Sequence, residues 1–346
     1  MSENKVKIVV VDDSFLMRKI ITDAINSDPA LEVVYKAKNG SEGLQKILEL
    51  KPDIVTLDIN LPIMDGLTVL KEIMRKQPTK VIMLSAYTRE GATDTIKALE
   101  LGAIDFIAKP SGEISLDIYK LKDEIVSKIK LAAKIKEDKF LSSAAESAHP
   151  KEKALAIKKL VIIGASTGGP KAVLEIMQNI PGDIPAAFLI VQHMPTGFTT
   201  TFAERVAWQS KVKAKEAENG DILSAGKAWI APAGYHLVLE PEKNNFRIRL
   251  NQDALVNFVR PAADVTMFSA AECFGKNIVA VVLTGMGKDG LEGSRKINEA
   301  GGTIIVQDEA TSVVWGMPGA IYEAGLANKI LPVGKIAEAI VREVNK

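Results

Sequence analysis

The chain has 346 residues, enough for two domains that each bury a core, and its 47% apolar and 25% charged residues are those of an ordinary folded protein. A formal net charge of +1 supplies no overall field for nucleic acid or an anionic membrane. One cysteine excludes an internal disulfide framework and a cysteine-clustered zinc site, and with no signal pattern or apolar span of membrane length the expectation is a cytoplasmic protein without membrane insertion.

The first half alternates apolar runs with helix-like segments. Strands are expected over Lys7 to Val11, Glu32 to Ala37, Ile54 to Leu57, Val81 to Leu84 and Ala103 to Ile107, with Ser14 and Ser41 as helix caps and Pro29, Pro52 and Pro78 as breakers. Five such units in about 120 residues predict a doubly wound parallel sheet. Polar residues then fall at strand ends: Asp12 and Asp13, Asp58, Ser85 and Lys109. Three carboxylates gathered at one sheet edge repel unless a cation joins them, and their hard oxygens suit Mg²⁺. A carboxylate such as Asp58 can also accept a phosphoryl group as an acyl phosphate, with Lys109 neutralising the phosphoryl oxygens and the Ser85 hydroxyl bonding to one of them.

The segments VVDDS, VTLDINLPIMDG, LSA and FIAKP resemble the acidic pair, acceptor turn, hydroxyl position and lysine-proline turn of two-component receiver domains, over about residues 5 to 129. The resemblance implies Asp58 as phosphoacceptor for a histidine kinase, Mg²⁺ held by Asp12, Asp13 and Asp58, a cis peptide at Lys109-Pro110, and Phe106 as an aromatic switch where the family often has tyrosine.

The receiver is expected over residues 1–122 and a linker over 123–156. That linker starts as a helical extension and continues through FLSSAAESAHPKEKALA, which is too small and polar for a core. A second α/β domain fills 157–346: a mostly parallel doubly wound sheet with an antiparallel hairpin, read from Trp229 to Leu239 and Phe246 to Leu250 around PEKNN. Cys273, in AAECFG, reads as packed.

At the start of this domain, LVIIGASTGGPKAVLEI runs from a buried strand through a glycine-rich turn into a helix, placing Ser166 where open α/β sheets collect ligands. The turn alone supports a nucleophile, an anion loop or a structural corner, although its spacing matches neither common phosphate-binding fingerprint. A nucleophile needs a base. Of three histidines, His193 follows the run FLIVQ at another strand end, whereas His236 sits inside an alternating strand and His149 before a proline. Asp289, in the turn after VAVVL, could orient the imidazole or cap the following helix.

Together GASTGGP, VQHMPTGFT and LTGMGKDG resemble the catalytic domain of the chemotaxis protein-glutamate methylesterases, the CheB family, over about residues 159 to 343. The resemblance implies phosphorylation-activated hydrolysis of glutamate γ-methyl esters on chemoreceptors, releasing methanol, with deamidation of receptor glutamines as a second activity. It places Ser166, His193 and Asp289 in the triad and Thr167 and Met286 beside the nucleophile, with the Met286 amide as an oxyanion donor. No cofactor is expected for the esterase. A receiver-controlled binding protein would more naturally carry a damaged triad, and a transcriptional regulator would need a small basic helix-turn-helix domain.

Overall fold

Runs of β-branched and leucine residues with few charges can only be satisfied by burial on both faces, which is the environment of a parallel sheet covered by helices. The computed structural model describes residues 5–86, 88–109, 117–135, 156–243 and 245–346. Two units, residues 1–142 and 143–346, each carry a sheet of this kind.

In the first unit Val6–Val11 (β1), Leu31–Ala37 (β2), Ile54–Asp58 (β3), Lys80–Ser85 (β4) and Asp105–Ala108 (β5) pair in parallel in the order β2-β1-β3-β4-β5. Ile8 to Val11 and Ile54 to Leu57 lie fully inside. The helices are Phe15–Asn26 (α1), Gly40–Leu50 (α2), Gly66–Lys76 (α3), Arg89–Glu100 (α4) and Asp117–Lys134 (α5). Ser14 caps α1 by accepting the Met17 N–H at 3.3 Å. The cap of α2 is Asn39 rather than Ser41, which lies inside the helix. Asn39 accepts the Glu42 N–H at 2.9 Å, satisfying one orphan donor of the helix, and the Glu42 side chain reaches back past the cap to the Lys38 N–H at 3.2 Å. Pro110 and residues 136–155 of the expected linker lie outside the described residues.

In the second unit seven strands form one parallel sheet: Lys159–Ala165 (β6), Ala186–Gln192 (β7), Lys213–Glu216 (β8), Lys227–Ile230 (β9), Ile278–Val282 (β12), Thr303–Gln307 (β13) and Lys329–Leu331 (β14). Their order is β14-β13-β12-β6-β7-β9-β8. His236–Glu242 (β10) and Asn245–Asn251 (β11) make the antiparallel hairpin. The single strand expected from Trp229 to Leu239 is therefore two. Pro232 lacks an N–H for the ladder and Gly234 turns with φ +86°, so β9 stays in the parallel sheet while β10 leaves it. The helices are Gly169–Met177 (α6), Phe198–Gln209 (α7), Ala263–Phe274 (α8), Leu291–Glu299 (α9), Met317–Glu323 (α10) and Val333–Val344 (α11). Cys273 is half-buried, its thiol directed to the Leu239 carbonyl.

Candidate functional site

The sheet order makes neighbours of β12, β6 and β7, and all three run the same way, so their carboxyl ends open onto one edge. Ala165 and Gln192 are register partners, and each strand's next residue is one of interest: Ser166 after β6 and His193 after β7. The His193 N–H donates to the Ala165 carbonyl at 3.0 Å, and the Ser166 N–H to the Thr284 carbonyl beyond β12, also at 3.0 Å. Gly285 must lack a side chain, because a Cβ there would lie 2.7 Å from that of Ser166. Thr167 follows Ser166 directly. Met286 follows Gly285, its side chain half-exposed and its N–H unbonded among the described residues.

Asp289 is 2% exposed and saturated with donors. Its Oδ2 accepts from His193 Nε2 at 2.8 Å and from the Ala263 N–H at 2.6 Å. Its Oδ1 accepts the Asp264 and Gly290 N–H groups and Asn257 Nδ2, all at 3.1 Å. Burial would raise this carboxyl, but the hydrogen bond and charge of His193 and the amides of Ala263 and Asp264 outweigh it and hold it below the ordinary range. Its alternative role as cap of α9 is not adopted: Gly290 holds that position with φ +92°, and Asp289 serves the first turn of α8 instead. Asp264, in α8, returns the arrangement by accepting the Gly293 N–H of α9 at 2.7 Å. Two helix N-termini thus face each other's carboxylates, which favours the ionised Asp289.

With Asp289 ionised, His193 Nε2 carries the proton it donates, and Nδ1 is the nitrogen left to accept another. His236 is of the other kind: fully buried, with Nδ1 accepting the Ala262 N–H at 3.2 Å and Nε2 meeting the Ala254 carbonyl at 3.1 Å.

Four residues escaped sequence reasoning. Gln192, 1% exposed, donates its Nε2 to the Ser166 carbonyl at 2.9 Å and the His193 carbonyl at 3.1 Å, clamping both turns. Thr284 Oγ1 donates to the Thr167 carbonyl and accepts the Val314 N–H, each at 2.9 Å. Asn257 and Asp264 buttress Asp289. Only Gln192 leaves a sequence signal, a primary amide closing an otherwise apolar buried strand.

In the first unit four of the expected residues come together. Asp12, Asp13 and Asp58 offer oxygens all within 4.8 Å of one another, and Lys109 Nζ lies 2.8 Å from Asp12 Oδ2 and 2.6 Å from Asp58 Oδ2. Burial, with the Asp12 charge adding to it, pushes Asp58 up to about 6 against the opposing pull of Lys109. Burial would lower the Lys109 ammonium, but Asp58 and Asp12 more than offset it and raise it. Asp12, Asp13 and Asp58 bring carboxylate oxygens from three side chains to one point, and such a set fits a hard cation. The Ser85 hydroxyl donates to the Gly91 carbonyl at 3.0 Å, and Phe106 is buried with Lys128 Nζ 5.2 Å from its ring centre.

These features define a response regulator whose second unit is an α/β output domain. The receiver-domain family model matches residues 8–118 and the CheB methylesterase model residues 161–340. A protein-glutamate methylesterase/protein-glutamine glutaminase of Pyrococcus horikoshii is 47% identical over 98% of this chain and 94% of its own length. The Thermotoga maritima protein of that name is 42% identical over 99% and 100%. The T. maritima CheB methylesterase catalytic domain, known from a crystal structure, has 43% identity and a TM-score of 0.53, covering 53% of this chain and 97% of that one. The chain belongs to the CheB methylesterase family. Among the described residues no helix is long and apolar enough to cross a membrane.

Proposed function

We propose that the chain is a cytoplasmic, phosphorylation-activated hydrolase of glutamate γ-methyl esters on chemoreceptors that also deamidates receptor glutamines. Its domains are a receiver over 1–122, a linker over 123–156 and an esterase over 157–346. The observation that carries the reading is the 2.8 Å pair of His193 Nε2 and buried Asp289, placed at the exit of the strand beside the one that ends at Ser166.

His193 Nδ1 takes the Ser166 proton as Oγ attacks the ester carbonyl carbon, and Asp289 stabilises the imidazolium that forms. The amides of Thr167 and Met286 hold the oxyanion. His193 returns the proton to the departing methoxide, methanol leaves, and a glutamyl-serine ester remains. Water, deprotonated by His193, attacks that ester and releases glutamate and Ser166. A glutamine enters by the same route and loses ammonia. The esterase draws on no cofactor.

In the receiver, Asp58 accepts the phosphoryl group of a histidine kinase. Lys109 neutralises its oxygens, and Ser85 exchanges the Gly91 carbonyl for one of them while Phe106 serves as the aromatic switch. Asp12, Asp13 and Asp58 would hold Mg²⁺, which supplies charge neutralisation for the incoming group.

The direct test measures methanol release from membranes bearing methylated receptors, before and after a small phosphodonor and Mg²⁺. Release that rises with the phosphodonor supports the esterase and the switch together; none in either state defeats the reading. Mg²⁺ affinity, followed calorimetrically, is expected to weaken about tenfold between pH 7.5 and pH 5, because a carboxyl with a value of about 6 is ionised at the first and protonated at the second. Affinity independent of pH would contradict the role given to Asp58. Gly285→Ala is expected to lower methanol release about 100-fold, since a 1 Å displacement of the nucleophile is enough for that. A full rate in a folded Gly285→Ala chain would show that Ser166 is not held there.

A further inference from the structure

Val256 and Val259 exchange backbone hydrogen bonds at 3.2 and 3.0 Å, and between them Asn257 and Phe258 both have left-handed backbone, with φ +53° and +64°. Asparagine tolerates that region. A phenylalanine there costs about 1–3 kcal/mol, and strain of this kind gathers at functional sites. The Phe258 ring recovers none of the cost within its unit, being 96% exposed. Asn257, in contrast, is tied inward: Nδ2 donates to Asp264 Oδ2 at 2.8 Å and to Asp289 Oδ1 at 3.1 Å. Both acceptors are carboxylate oxygens, so the orientation of the amide is fixed.

We infer that this turn links substrate binding to the acid of the proposed triad: Asn257 is a positioning residue for Asp289, and Phe258 is a specificity-determining contact for a polypeptide substrate. The inference rests on the Ser166, His193 and Asp289 reading given above. A rigid turn that presents a bare aromatic ring suits a polypeptide whose apolar side chains flank the esterified glutamate. Packing on the ring then bears on the residue that holds Asp289. A small ester has nothing to lay against it.

The test uses the full chain with phosphodonor and Mg²⁺ on two probes, a synthetic polypeptide carrying a glutamate γ-methyl ester among apolar residues, and p-nitrophenyl acetate. Asn257→Gly keeps the left-handed backbone and removes the amide. It is expected to lower kcat about 10- to 100-fold on both probes while KM stays within a factor of two or so, the loss of a charge-assisted hydrogen bond. Asn257→Asp keeps the shape without an N–H, and its deficit relative to the native chain should shrink as pH falls and the added carboxyl gains a proton to donate. Phe258→Ala is expected to raise KM for the polypeptide about tenfold and for p-nitrophenyl acetate far less. Native kcat in Asn257→Gly, an Asn257→Asp deficit constant with pH, or a Phe258→Ala penalty equal on both probes would each overturn the inference. Ser166→Ala is run alongside. Retained activity there defeats the triad itself, whereas a silent Ser166→Ala with a fully active Asn257→Gly defeats only the present inference.

Discussion

Replacing Ser166 with alanine is expected to lower methanol release by about three to six powers of ten while leaving the fold in place. The fold should hold because the residue is anchored by its backbone. Its N–H reaches Thr284, and its carbonyl accepts from Gln192 Nε2 at 2.9 Å and from the Gly169 N–H at 2.8 Å. Alanine keeps all three. Among the described residues the hydroxyl itself makes no hydrogen bond, so its removal leaves no partner unsatisfied. A large loss of rate at unchanged thermal stability isolates the nucleophile from the scaffold. A variant that retains most of its activity would remove Ser166 from the reaction.

Asp58→Ala is expected to keep unstimulated hydrolysis and to lose the rise on adding phosphodonor and Mg²⁺. The native rise can be large: moving a population from about 1% to 99% active takes roughly 5.5 kcal/mol of differential free energy and allows about a 100-fold gain. In the proposed switch Asp58 takes the phosphoryl group where Lys109 already stands, 2.6 Å away. Alanine leaves Lys109 its second partner, Asp12 at 2.8 Å, so the ammonium remains paired and the pocket is not left with a bare buried cation. Stimulation equal to that of the native chain would place the switch elsewhere.

Four of the five strands of the first unit, all but β2, were legible as short runs that lead into a polar residue at the sheet edge. Asp12, Asp58, Ser85 and Lys109 could be read as strand-end residues before any geometry was known, and Ser166 and His193 could be placed in the same way. What could not be read is set by spatial rather than sequential neighbours. Asn257 and Asp264 matter through Asp289, 32 and 25 residues on. The break between β9 and β10 was hidden because Trp229 to Leu239 keeps an apolar character through Pro232 and Gly234. The strand β14, only Lys329–Leu331, is too short to leave a periodic pattern. Asp289 was read as a possible cap of the helix from Leu291, but that cap is Gly290, and the backbone donors Asp289 accepts in a helix first turn are those of α8, a choice that only the packing of the two helices makes.

The order β13-β12-β6-β7 also governs when the site can exist. The strands carrying Ser166 and His193 are consecutive in the chain and can pair as soon as both are made. The other neighbour of β6, β12, comes much later, after the hairpin and α8 have been synthesised, and β13 later still. Until then the N–H and C=O groups on the open edge of β6 lack their ladder partners, the kind of exposure that invites association with other chains. Pairings distant in sequence also form slowly. Hydrolytic competence on refolding or during synthesis should therefore lag the appearance of secondary structure, and a nascent chain that stops short of Asp289 carries the proposed nucleophile and base, Ser166 and His193, without the carboxylate that holds the imidazole.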